Sequence, residues 1–373
     1  MVNPRWHAVR KVLCVRLDNI GDLLMTTPAL RALKERFPQA EIVLLTSQVG
    51  SSIAPLLPVI DRWIVYDAPW VKTYAEPPKG ESARQMVEQL KAERFDAAVL
   101  FTVYSQNPLP AALLTFMADI PLRLGYSHHN PYELLTDWVP DREPEKEIKH
   151  EVQRQLDLVA TIGATTAIPT LALEVEERFR QRALAAVQTA GVAPNEPWLV
   201  LHPGVSEERR RYSAWGFGEA GKRLSQRLNC RILVTGATHE QALAERVVAH
   251  MGPAAVSLAG QLALPEFVGL LAETSVLISN NSGPVHIAAA LGTPLVDLYA
   301  TTNPQHTPWL VDHKVLYFDT ECKACARGLC TVDHGLRQYV QPQDIVQATL
   351  TLLTETNQII PEGGEWQWRK WMY

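Results

Sequence analysis

Residues 278–295, ISNNSGPVHIAAALGTPL, leave little freedom for the architecture around them. A short apolar run through Val276, Leu277 and Ile278 ends abruptly in Ser279-Asn280-Asn281-Ser282-Gly283-Pro284. Val285, Ile287, Ala288, Ala289, Ala290 and Leu291 then form a small-residue helix that stops at Gly292, and Pro294 opens the next run, Leu295 to Tyr299. The order is strand, tight turn, helix, strand. Ser282 is placed to act as N-cap, and Pro284 lies in the first turn, where a missing N–H does no harm. Gly283 allows a ligand close to the backbone, and the open N–H groups with the helix dipole attract an anion. A diphosphate is the natural occupant; a well-capped turn that binds nothing is the other reading of the same residues.

The same grammar occurs near the start of the chain. Lys11 to Leu17 reads as a buried strand, Asp18-Asn19-Ile20-Gly21 as the turn after it, and Leu23, Leu30, Leu33 and Phe37 recur at helical spacing until Pro38. Glu41 to Leu45 is a second strand, which completes a βαβ unit and implies a parallel sheet with right-handed crossovers. Strands at Trp63 to Tyr66 and Ala97 to Phe101, and helices across Ser82 to Arg94 and His150 to Ile162, extend it. Asp67 to Gly80, rich in proline and aromatics, reads as a long loop near a ligand cleft. The pattern then restarts, with helices at Glu176 to Ala190, Ala214 to Leu228, His239 to His250 and Pro265 to Ala272, and strands at Trp198 to Leu201 and Ile232 to Thr235. Two doubly wound α/β domains are expected, as the length of 373 residues also implies. Facing each other, they place a ligand crevice at the carboxyl ends of both sheets.

Composition narrows the function. A net charge of −5 offers no basic field for nucleic acid, so no nucleic-acid partner is expected. No apolar run is long enough to span a bilayer and no secretory signal precedes the first strand, so the expected location is cytoplasmic. Five cysteines, two of them (Cys14 and Cys230) in apparent strands, do not make a disulfide framework.

In the first half Asp22, at the entry of a helix on the crevice side, is the candidate catalytic base for a hydroxyl nucleophile. It serves equally to cap its helix and favour the positive dipole end; Asp18 is a weaker rival on the same turn. In the second half three loops follow three strands. His202-Pro203-Gly204 leads into Arg209-Arg210-Arg211, whose guanidinium forks suit a diphosphate. Glu240, early in a helix after Thr235-Gly236-Ala237, is placed to hold ribose hydroxyls. Asn281, Ser282, Gly283 and His286 form the third loop, with His286 aimed at the anion or serving as a structural histidine. Cys322, Cys325 and Cys330, with His334 nearby, fall short of a closed four-ligand zinc site, and no Asp-x-Asp pair occurs, so no metal is expected. At the two ends, Trp6 with Arg5, Arg10 and Lys11, and Trp366, Trp368 and Trp371 with Arg369 and Lys370, mix indoles with positive charge. The tail is expected to pack back on the first domain, with weak peripheral membrane contact as the other use of such a composition.

Taken together these motifs resemble glycosyltransferase family 9, the ADP-heptose:lipopolysaccharide heptosyltransferase family. VRLDNIGDLLMTTPALRALKERFP looks like the opening of that family. Arg123-Leu124-Gly125-Tyr126, His150-Glu151, the HPG loop, TGATHEQ and SNNSGPVHIAAALGTPLVDLY follow in the family's order, and the cysteine segment followed by Pro342-Gln343-Asp344-Ile345-Val346 has a counterpart in many members. The resemblance implies a GT-B fold, with residues 1–170 binding acceptor, 171–355 binding nucleotide sugar and 356–373 as a tail. It implies inverting transfer of a sugar, heptose first among the candidates, from a nucleotide diphosphate donor to a hydroxyl of a lipopolysaccharide-core or similar glycan or glycolipid, with no cofactor and no essential metal. Asp22 matches the family's base and Glu240 its ribose-binding acid; His202, Ser282, Gly283 and His286 lie in its donor loops. Arg210 falls near a phosphate-binding lysine, although the usual Lys-x-Trp-Pro reads Arg210-Arg211-Tyr212-Ser213. Asn281 stands where many members carry Asp, so a donor of hydrogen bonds is expected where they present an acceptor. Tyr299-Ala300-Thr301-Thr302 also departs from the usual aromatic-Gly-Pro-Thr. A nucleotide-sugar enzyme with another donor and acceptor, or a binding protein without activity, shares these motifs; a dinucleotide oxidoreductase does not, since no G-x-G-x-x-G follows the first strand.

Overall fold

The computed structural model describes residues 3–71, 80–300, 304–317, 340–362 and 365–369. The chain divides into two compact units, Met1–Glu174 and Val175–Tyr373. In the first, β1 (Lys11–Arg16), β2 (Glu41–Thr46), β3 (Arg62–Val65), β4 (Ala97–Leu100), β5 (Leu122–Ser127) and β6 (Asp137–Pro140) form one sheet in the order β3-β2-β1-β4-β5-β6. Every pairing is parallel, with Val12 set between Ile42 on one side and Ala97 on the other. The central strands read as unbroken apolar runs, Val12 to Val15 and Ile42 to Leu45, because helices cover both faces of the sheet. Those helices are α1 (Ile20–Arg36), a single turn α2 (Gln48–Ser51), α3 (Gly80–Glu93), α4 (Leu109–Met117) and α5 (Glu151–Ala160). α1 and α5 lie together, whereas Leu90 of α3 and Ala112 and Leu114 of α4 join Leu13, Val43 and Leu100 in one apolar cluster.

The second unit repeats this order. β7 (Trp198–His202), β8 (Arg231–Val234), β9 (Ala255–Ser257), β10 (Leu277–Asn280), β11 (Leu295–Tyr299) and β12 (His313–Tyr317) run parallel as β12-β11-β10-β7-β8-β9. Counted from its own first strand, each sheet reads 3-2-1-4-5-6, so each has one switch point where crossovers leave in opposite directions: between β1 and β4, and between β7 and β10. Helices α6 (Glu177–Thr189), α7 (Ala214–Leu228), α8 (Gln241–Met251), α9 (Leu264–Glu273), α10 (Gly283–Leu291) and α11 (Pro342–Glu355) clothe it. α7 and α8 approach closely because α7 presents a glycine: a Cβ at Gly221 would lie 2.3 Å from Met251 Sδ.

The end of the chain corrects one expectation. β13 (Ile359–Glu362) and β14 (Glu365–Trp368) form an antiparallel hairpin, and Trp368 is buried in the second unit's core. Its indole N–H donates to Leu228 O at 2.8 Å, which satisfies one of the last carbonyls of α7. The described part of the tail therefore packs on the second unit, where the first was expected. Trp6 is fully buried too, stacked on Phe37 with ring centres 6.3 Å apart. Neither indole is available to a membrane surface; Lys370 and Trp371 lie outside the described residues. Among the described residues no helix is long and apolar enough to cross a membrane.

Candidate functional site

At the switch point of the first unit, β1 ends on Arg16, whose side chain is wholly buried. Its guanidinium meets three carboxylates: Asp18 Oδ2 at 2.8 Å from Nε, Asp22 Oδ1 at 3.3 Å from Nη2, and Glu151 Oε1 at 2.7 Å from Nη1. The Asp18 contact is an ion pair bent away from hydrogen-bond alignment, since Nε has no hydrogen-bond acceptor. Asp22 also caps its own helix, accepting from Asn19 N at 3.2 Å, so the capping and crevice readings of this residue coexist. Glu151 and Gln155 arrive on α5, and Gln155 Nε2 donates to Glu151 Oε1 at 2.7 Å and to Thr102 O at 3.0 Å. One guanidinium does not neutralise three carboxylates. Burial first, and then the neighbouring Asp22 charge, push the Asp18 carboxyl up to about 6 against the pull of Arg16. A second buried arginine stands close by: Arg154 binds Asp141 Oδ2 at 2.6 Å and also Glu143, and lies over the ring of Tyr126 at 4.2 Å.

A cavity of about 380 Å³ opens at the ends of β1 and β4, walled by Leu17, Asp18, Trp70, Phe101, Thr102 and Gln106 among others. Gln106 Nε2 donates to Asp18 Oδ1 from within this wall. The loop after Asp67 is therefore near a cavity as far as Val71; residues 72–79 lie outside the described residues.

The second unit's switch point has a different character. His202 ends β7 and is buried, hydrogen-bonded through Nδ1 to Thr235 Oγ1 at 3.0 Å and tilted against Phe267. Burial lowers its pKa more than nearby Glu240 raises it, which leaves a neutral ring. Glu240 Oε2 accepts from Ala237 N at 2.8 Å, and its carboxylate also fills the space beside Gly204: a Cβ there would lie 2.2 Å from Oε1. Glycine at 204 is thus what lets the first two loops touch. Asn280, fully buried at the end of β10, ties in the rest: its Nδ2 donates to Pro203 O at 2.8 Å and its Oδ1 accepts from Tyr212 N at 3.0 Å. Asn280 is not among the candidates that the sequence offers, although the Asn280-Asn281 pair that closes an apolar strand is the signal that marks it.

Beyond Asn280, Ser282 sits at the N-cap position of α10 in extended conformation, but its side chain makes no capping bond. The hydroxyl turns back to Asn280 O at 3.1 Å, which corrects its expected role and leaves the helix entrance without a side-chain cap. Gly283 begins the helix, and His286, one turn in, is buried with its ring 6.5 Å from that of His306. Asn281 corrects a further expectation. Its Nδ2 donates to Asp297 Oδ2 at 2.9 Å and to His306 O at 3.1 Å, so both amide hydrogens point into the protein. Arg210 is held by Glu207 at 2.7 Å in a surface turn, Glu208–Arg210, and Arg211 pairs with Glu208. Cys322, Cys325, Cys330 and His334 lie outside the described residues, as do Thr301 and Thr302. Among the described residues no three His, Cys, Asp or Glu side chains are grouped to hold a metal ion.

Known proteins share this arrangement. The model of glycosyltransferase family 9 (heptosyltransferase) matches residues 83–335, more than half of the chain. Lipopolysaccharide heptosyltransferase 2 of Salmonella typhimurium is 26% identical over 361 residues, covering 92% of this chain and 99% of the relative. Lipooligosaccharide heptosyltransferase 2 of Haemophilus ducreyi is 25% identical over 370 residues, covering 94% and 99%. Among solved structures, a family 9 glycosyltransferase from Veillonella parvula aligns with a TM-score of 0.75 at 20% identity, covering 93% of this chain and 97% of that one. E. coli ADP-heptose lps heptosyltransferase II aligns with a TM-score of 0.72 at 22% identity, covering 93% and 99%. The structural likeness makes the two Rossmann-like units a GT-B fold. With a family match of that extent, the chain belongs to glycosyltransferase family 9, the heptosyltransferase family, and is a transferase.

Proposed function

We propose that the protein transfers heptose from an ADP-heptose-like donor to a hydroxyl of a lipopolysaccharide-core acceptor, with inversion and without an essential metal. The names of the relatives support the reaction class: two are lipopolysaccharide or lipooligosaccharide heptosyltransferases, and one solved structure of the same fold is E. coli WaaC with ADP-2-deoxy-2-fluoro heptose. The observation that carries the donor half is the entrance of α10, a helix N-terminus with no side-chain cap beside the neutral residues Asn281 and Ser282. Such an entrance favours the negative charge that grows on a diphosphate leaving group. Arg210 adds a guanidinium once it exchanges Glu207 for phosphate oxygen, and Glu240 accepts from ribose hydroxyls.

On the acceptor side, Asp22 takes the proton of the attacking hydroxyl as the new glycosidic bond forms and the bond to diphosphate breaks. Arg16 holds this carboxylate in place and offsets its charge. One observation favours a second assignment of the base: Asp18, not Asp22, lines the 380 Å³ cavity, and its carboxyl titrates at about 6, near the range useful to a general base. The working location is the cytoplasm, with weak contact at the inner face of the membrane, which co-sedimentation with anionic vesicles would measure.

Thermal-shift titration with ADP-, GDP-, UDP- and dTDP-linked sugars tests the donor reading, because a ligand that binds only the folded state raises its midpoint. Stabilisation by ADP and ADP-heptose alone is expected, followed by transfer with an inverted anomeric product in the presence of EDTA. Stabilisation by a different nucleotide series, or a retained configuration, would reject it.

A further inference from the structure

Strand β11 carries one acid among apolar neighbours. Asp297 lies beside Ser279 of β10 and Val315 of β12 in register, between Val296 and Leu298, and is wholly buried. A carboxyl group in such a place is costly unless it is hydrogen-bonded. Its Oδ2 accepts from Asn281 Nδ2, while its Oδ1 has no partner among the described residues. The second hydrogen of that same nitrogen goes to the main-chain carbonyl of His306. A carbonyl only accepts, so the nitrogen end of the Asn281 amide faces inward, with one hydrogen on Asp297 and the other on the His306 carbonyl. The remaining polar atom of the side chain is Oδ1, an acceptor, and the next residue, Ser282, holds the N-cap position of α10.

We propose that Asp297 is a positioning residue for sugar recognition: by holding the amide hydrogens of Asn281 inward, it presents Asn281 Oδ1 to accept a hydrogen bond from a hydroxyl of the donor's glycosyl unit. The proposal rests on the donor reading above. It means that Asn281 offers the polarity of an aspartate without its charge, next to a diphosphate that a second carboxylate would repel. Around this pair stand His306 of the turn after β11, whose carbonyl accepts from Asn281 and whose ring lies 6.5 Å from that of His286, and Tyr317 of β12, whose phenol is pushed up by burial and by Asp297. Burial pushes the Asp297 carboxyl itself up to about 8, with the Asn281 amide opposing. The acid is therefore largely neutral at pH 7, and an amide at this position can take over its accepting role.

Two substitutions, read by calorimetric titration of the full chain with ADP-heptose and with ADP alone, test this. Asp297→Leu keeps the shape and removes the acceptor, so affinity for ADP-heptose should fall about tenfold while affinity for ADP stays within about twofold. Asp297→Asn keeps an acceptor for Asn281 and should bind both ligands like the unaltered protein. Unchanged ADP-heptose affinity in a folded Asp297→Leu protein overturns the proposal, and so does an equal loss for both ligands, which would mean a disordered loop. If Asp297→Leu fails to fold, a tenfold sugar-selective loss in Asp297→Asn overturns it instead. An unaltered protein that binds no ADP ligand at all rejects the donor reading and this inference with it, whereas normal ADP and ADP-heptose binding with indifferent variants rejects this inference alone.

Discussion

Arg16 and His202 hold matching places, each the last residue of the first strand in its own sheet, and each is buried. Around Arg16 the fold gathers Asp18, Asp22 and Glu151, so the switch point of the first unit is ionic and short of positive charge. Around His202 it gathers Thr235, Phe267 and Glu240, keeps the imidazole neutral and leaves a helix entrance uncapped. The same strand order thus supports opposite electrostatics. Carboxylates in excess suit the removal of a proton from an alcohol, and a neutral floor with a positive helix end suits the arrival of negative charge. Strand order fixes where chemistry can happen; the residues one or two places past the strand ends decide which kind.

The largest expected effect would come from Asp22→Ala, with transfer lower by roughly 10²–10⁴-fold and donor affinity unchanged, read by product formation and calorimetry. Near-normal turnover would break the comparison on the acceptor side and shift the role to Asp18. Arg16→Met comes next: it strands three carboxylates without their shared cation and should cost about 3–5 kcal/mol of stability in urea unfolding, most of it at neutral pH. Gly204→Ala probes the other switch point. The added methyl displaces the Glu240 carboxylate, so stability should drop by about 1–3 kcal/mol and affinity for ADP should weaken, with proton transfer untouched.

The smallest effect concerns pH. Asp18 holds its proton more tightly folded, at about 6, than its ordinary value of 3.8. The protein therefore loses stability as pH rises through that interval and does not regain it above. Asp18→Asn should flatten this segment, shrinking the difference between about pH 4 and about pH 7 by about 1–3 kcal/mol. An unaltered slope would mean that Asp18 does not carry the extra proton.

Much of this was legible in the chain. Buried parallel strands announce themselves as apolar runs, so β1, β2, β4, β7 and β8 are readable from composition alone. Two of the edge strands were not: β6 carries Asp137 and Pro140, β9 is three residues long, and neither stands out from loop sequence. Asp22, Glu240 and the Asn281-Ser282-Gly283 turn could be named because each follows a strand directly. Arg16 was hidden inside a strand pattern, since its partner Glu151 lies 135 positions away and only folding brings them together. The carboxamide orientation at 281 was unreadable for the same reason: it depends on Asp297 and His306, on other elements. That the tail packs is readable from its indoles, but not where: the carbonyl of Leu228 draws Trp368 to the second unit, where the first was expected.

Asn280 also bears on how this enzyme could be redesigned. A single carboxamide fastens the His202 loop and the arginine loop to the end of β10. Both of its partners are main-chain atoms, so grafting any one of these segments from a relative alters a part whose spacing this amide sets. Exchange of sugar preference is therefore a matter of transplanting all three together with their fastener, and point swaps within one segment should yield weaker binders before they yield new ones.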